Sequence, residues 1–352
     1  MGFDEIYNDL NIGDLEKNMQ DIFPDWDFSF FELVKEVYEG KEQGLWELLF
    51  MKMKEVCYQE WNGIKNVFVT LVILILIASV FHSFKDFFRN YQIAEIAFYI
   101  NYLILIVVVS NLFGNILAVG ENALRNIEEF MRIFFPTFYL VVGNTMGMGT
   151  GLAYYQIAGM VIYLVEWCLV AIILPSLSAY MLFVFMNGIW EEEKLALLLE
   201  LFQKGIKFLL KALFGILTGA GMIQSMIVPI IDRIKGETIY KAVESIPGIG
   251  EVTEGALRIW LGSAVLIKNS IGIVGCIALV ILCLIPMIKI LFVGSMLKIT
   301  AAILSLVGDK KMIGYTNQAG DVVFMIFQTV GYGMLLFMVL VAITICSTNG
   351  GF

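Results

Sequence analysis

The sequence contains two apolar runs too long to cross a bilayer once. Leu152 to Ile189 is 38 residues long, carries the single charge Glu166 and is interrupted by Pro175. Ser263 to Thr300 has the same length, carries Lys268, Lys289 and Lys298 and is interrupted by Pro286. At helical rise either run reaches about 57 Å, nearly twice the thickness of a hydrocarbon core. Helices apolar on every side belong in a membrane. Each run is therefore expected to break, bend back or leave the bilayer near its proline, which removes a backbone donor and crowds the preceding turn.

Charge distribution supports a membrane body with a water-facing start. Mean hydropathy is +0.82 and only 16% of residues are charged, against about 25% in soluble domains. Residues 1–65 hold 15 acids against 6 lysines, while the other 287 residues balance 17 acids with 17 bases. Residues 1–60 read as an acidic segment of short amphipathic helices, with Phe28 to Tyr38 and Leu45 to Met53 spaced at helical intervals. Residues 61–352 read as the polytopic membrane domain. The start, Met1 to Leu10, has neither a basic region nor an apolar core of the signal-peptide kind. Either the first span acts as insertion signal or a cleaved leader preceded this chain.

Hydropathy predicts an all-α fold of six to eight crossings. The spans begin with Ile64 to Phe81 and Ile93 to Val119, and end with Ala212 to Ile231 and Val322 to Cys346. Between them, residues 120–133 read as an interfacial amphipathic helix and Phe134 to Met148 as a half-crossing element. A shift of 111 residues lays Pro136 on Pro247 and Pro175 on Pro286, and the order of elements matches. That pattern predicts an internal repeat of 90–200 and 201–311.

The candidate pathway or helix-break residues are Glu166, Pro175, Lys268, Pro286 and Lys289. A carboxylate inside an apolar helix needs a cation, a cavity or a proton, so Glu166 either serves transport or pairs with Lys268 or Lys289. Lys298 is expected to reach an interface with its long stem. Gly215-x-x-x-Gly219, Gly272-x-x-Gly275 and Gly331-x-Gly333 are spacings that let helices approach closely. The five cysteines form no CxxC and read as small hydrophobes. One histidine, His82, rules out a multi-histidine metal site. Phosphate loops, nucleophile–base pairs and basic patches for nucleic acid are absent, so neither an enzyme, a cofactor nor a nucleic-acid partner is expected.

From Ser245 the text resembles the stage III sporulation protein AE family. The resemblance rests on Ser245-Ile246-Pro247-Gly248-Ile249-Gly250, on Lys268-Asn269 with Gly272 and Gly275, on Ile285-Pro286 with Lys289, and on Leu297-Lys298-Ile299-Thr300. It covers about residues 60–350, and one departure is the missing cleavable signal sequence. The resemblance implies an integral protein of the mother-cell membrane that surrounds the forespore. It implies membership of a channel or feeding complex with other stage III sporulation A membrane proteins and a forespore channel partner. The bilayer is the other partner, and a homo-oligomer is allowed. No catalytic residues transfer from the family. The competing reading is a stand-alone secondary transporter, suggested by the repeat and the paired prolines.

Overall fold

The computed structural model describes residues 30–39, 43–84, 91–146, 148–189, 195–219, 250–307 and 310–349. Among these the chain is helical throughout, with no strand. A short helix α1 (Phe30–Tyr38) precedes α2 (Gln43–Phe84) and α3 (Tyr91–Met146). Next come α4 (Met148–Trp167), a π-helical segment (Cys168–Ile173) and α5 (Leu174–Ile189). Residues 196–219 form α6, and the chain closes with α7 (Gly250–Val307) and α8 (Lys310–Asn349).

Four stretches are long and apolar enough to cross a membrane: Tyr99–Gly143, Tyr155–Asn187, Val265–Ile303 and Lys311–Cys346. Of the expected six to eight crossings, the described residues show four such stretches. The expected span Ile64 to Phe81 lies in α2, which begins at Gln43, so the domain boundary drawn at residue 60 falls inside a helix. Ala212 to Ile231 lies partly outside the described residues. So do residues 220–249 of the second proposed repeat, Pro247 among them.

The interfacial segment and half-crossing element are instead parts of α3, which is 56 residues long. The reason is phase. Leu124, Ile127, Phe130, Met131, Phe134 and Phe138 are all buried, so one inward face continues across 120–133 at helical spacing. Pro136 does not end the helix, and its ring sits on the exposed side.

The two predicted breaks behave differently. Before Pro175 the backbone widens into the π-segment, where the Leu174 N–H reaches back to the Leu169 carbonyl. Proline cannot supply the next α-helical hydrogen bond, and a π-turn absorbs the mismatch. The Ser176 hydroxyl adds a bond to the Ile172 carbonyl at 2.6 Å. At Pro286 the expected break is absent, because α7 is one α-helix of 58 residues. Interior proline costs about 3 kcal/mol or more. Packing of Cys283, Ile288, Ile290 and Val293 into the core holds the helix intact.

Helix order in space follows from particular contacts. Gly272 and Gly275 of α7 lie against Phe138 and Phe134 of α3, an antiparallel pairing. Gly120 of α3 meets Ile326 and Val330 of α8, Leu124 meets Gly333, and Tyr139 bonds Thr344, so α3 and α8 run parallel. Asn101 of α3 donates to the Leu74 carbonyl of α2 at 3.2 Å. The core centres on an α3 ladder in which Phe130 stacks on Phe134 at 5.6 Å and Phe134 on Phe138 at 5.3 Å. Such ring pairs contribute about 0.5–1.5 kcal/mol each beyond the area they bury. Buried threonine hydroxyls of α8 are satisfied within the helix: Thr316, Thr329 and Thr344 donate to the carbonyls of Met312, Met325 and Leu340. That solution lets polar side chains sit where water is absent.

Candidate functional site

The chain turns between α3 and α4 at residue 147, so residues equidistant from the turn meet. Glu128 and Glu166 are each 19 residues from it. Both line an open cavity of about 180 Å³ walled by Arg132, Phe135, Tyr155 and Tyr163. The Glu166 carboxyl reaches that of Glu128, while Arg132 and Arg125 stand close enough to act on its charge. Arg132 is bonded to Glu128 one turn away, and Arg125 Nη2 lies 2.7 Å from Glu121 Oε1. Two facing carboxylates repel unless a cation or proton sits with them, and Arg132 is the cation at hand. Glu166 is also two residues before the π-segment, so this charge cluster adjoins the point where the helix changes its winding.

Glu166 therefore does not pair with Lys268 or Lys289. The expectation fails because α4 lies beside α3 in the hairpin, and the α3 arginines reach the carboxylate first. Lys268 is fully buried in α7, inward as expected. Lys289 is 42% exposed, and its Nζ lies 3.9 Å from Glu60 Oε1 of α2. This Glu–Lys pair is at ion-pair distance but beyond normal hydrogen-bond reach, and its acid comes from the supposed N-terminal segment. Lys298 does not simply reach outward. Its Nζ lies 2.7 Å from both Asn317 Oδ1 and Asp321 Oδ1 of α8. On α6, Lys204 Nζ is 2.5 Å from Glu200 Oε1 and holds that carboxyl below the usual range.

Sequence reasoning missed Glu128 and Arg132 as neighbours of Glu166, Glu60 as the neighbour of Lys289, and Asp321 as the partner of Lys298. The Glu128–Arg132 spacing was legible as a helical i,i+4 pair. Of the glycine patterns, Gly272, Gly275 and Gly333 do admit neighbouring side chains, whereas Gly215 and Gly219 meet nothing among the described residues. The cysteines are free among the described residues, and no group of three metal-ligating side chains occurs there.

Long apolar helices packed side by side, with paired charges and internally bonded hydroxyls, define an α-helical membrane protein. The family model described as stage III sporulation protein AE matches residues 28–348. The chain belongs to the stage III sporulation protein AE family. It is similar to the stage III sporulation protein AE of Bacillus subtilis (strain 168), with 20% identity over 281 residues, covering 80% of this chain and 70% of the relative. No solved structure matches.

Proposed function

We propose that this chain is a non-enzymatic integral component of the channel complex that connects mother cell and forespore, resident in the mother-cell membrane around the forespore. The observation that carries this reading is the family match over residues 28–348 on a body with four membrane-length helices. Partners would be other stage III sporulation A membrane proteins and a channel protein from the forespore side. A stand-alone transporter built on paired broken helices has less behind it, since α7 is unbroken at Pro286.

The test is recovery of a tagged chain from sporulating cells at the stage of engulfment. Co-purification of sporulation membrane proteins, and loss of heat-resistant spores when the gene is removed, are the expected results. Purification alone, with ion-coupled uptake by the isolated chain and normal spore yield after gene removal, would replace this reading with the transporter.

A further inference from the structure

The cavity between α3 and α4 is built by two stripes at helical spacing. Tyr155, Gly159, Tyr163 and Glu166 come from α4, and Glu128, Arg132 and Phe135 from α3. Phe135 is buried and forms part of the floor, while the exposed Tyr155 and Tyr163 stand at the sides. Tyr139 fixes two of these rings, stacking on Phe135 at 5.4 Å and meeting Tyr155 edge-on at 6.2 Å. Gly159 keeps the middle open, since a Cβ there would meet nothing within 4 Å.

The charges lining this space do not cancel. Two carboxylates, Glu128 and Glu166, accompany one guanidinium, Arg132, and Arg132 is bonded to Glu128. Arg125, the other cation near Glu166, is bonded to Glu121. Glu166 thus meets Glu128 as a second carboxylate, and the lining carries one negative charge more than its cation balances. A group that fits here brings one positive charge and hydrogen-bond donors for two carboxyls. Hard metal ions demand a shell of oxygens, whereas Phe135, Met131 and Ile162 offer ring and aliphatic carbon. A shared proton answers the charge and makes no use of the rings. A primary ammonium uses both: its three N–H donors suit the carboxyls, and the carbon that carries it lies against aromatic faces.

We propose that the α3–α4 cavity binds a primary ammonium group, held by Glu166 and Glu128 and flanked by the rings of Phe135, Tyr155 and Tyr163. The site stands on the geometry of one hairpin and is independent of the channel reading above. Its surroundings point to the ethanolamine headgroup of a phospholipid as the carrier. Met160, Leu164 and Trp167 of α4 are exposed beside the cavity, an apolar surface suited to acyl chains, and Trp and Tyr gather at headgroup level in membranes.

The test is made on the full chain in detergent micelles. Native mass spectrometry compares retention of phosphatidylethanolamine with that of phosphatidylcholine of the same acyl chains, whose quaternary nitrogen has no N–H to donate. Thermal unfolding compares free ethanolamine with sodium and potassium chloride. The natural chain should retain phosphatidylethanolamine about tenfold better than phosphatidylcholine, and Glu166→Gln should erase that preference. Gly159→Leu fills the space while leaving every charge in place, and should erase it without lowering Tm. Glu200→Gln, on α6 and outside the cavity, should change nothing. A Tm raised by free ethanolamine, with no preference between the lipids, keeps the ammonium site and makes its ligand a soluble amine. Equal retention of both lipids with no response to ethanolamine overturns the proposal. So does a Tm response that sodium or potassium reproduces, or a lipid preference that survives both Glu166→Gln and Gly159→Leu.

Discussion

Lys298 Nζ lies 2.7 Å from Asp321 Oδ1 and fastens α7 to α8 a few turns from their connection. The lysine stem runs over Gly320, where an added Cβ would stand 3.2–3.3 Å from its Cγ, Cδ and Cε. Side-chain exposure of 31% and 39% makes the pair half-solvated, so its loss should cost less than that of a fully buried pair. Asp321→Leu should cost about 1–2 kcal/mol by leaving the ammonium to Asn317 alone. Thermal unfolding in detergent reads this as a lowered Tm, and Lys298→Met in the same chain should recover part of it. An unchanged Tm for Asp321→Leu would remove the pair from the forces joining the hairpin.

Gly275 and Gly215 should respond in opposite directions to alanine. A Cβ at Gly275 would run into the Phe134 ring, whereas one at Gly215 meets nothing within 4 Å. Overpacking costs about 1–3 kcal/mol, while alanine in an open helical position gains about 0.5–1 kcal/mol over glycine. Gly275→Ala should thus lower Tm and Gly215→Ala hold or raise it. Equal shifts for the two would show that α3 and α7 do not meet as closely as these contacts require.

Pro175 fixes the π-segment by withholding a backbone donor. Pro175→Ala restores that donor, so the segment Cys168–Ile173 should tighten toward α-helix. Tm should rise by the equivalent of about 1 kcal/mol, while spore yield should fall because side chains beyond the segment rotate. A stabilised chain with full spore yield would make the π-segment a tolerated irregularity.

Glu166 faces Glu128 and the α3 arginines across the cavity. Glu166→Gln keeps the shape and removes the charge, and should lower the yield of heat-resistant spores severalfold at unchanged protein level. Lys289→Ala, which separates α7 from Glu60 of α2, should do the same. Full yield from both variants, with the proteins present at normal amount in the membrane, would reduce these charges to packing.

The membrane class was legible because hydropathy is a local property, and so was the family through the text around Lys268 and Pro286. Helix continuity was harder to read. The charges of residues 120–133 and the ring of Pro136 suggested interruptions, but their inward positions keep one phase and α3 runs through them. Pro175 and Pro286 are alike in sequence surroundings, yet one adjoins a π-segment and the other sits in unbroken α-helix.

By itself the sequence determined that the chain is helical, lies in a membrane and has its sparse charges set in apolar runs, since these follow from composition and period along one segment. Tertiary structure alone decided who meets whom. Glu166 finds Glu128 and Arg132 because a hairpin turn equalises their distances from residue 147. Lys289 finds Glu60 because α2 lies beside α7. Pairing energies depend on distance across helices, and that distance is set by packing rather than by separation along the chain.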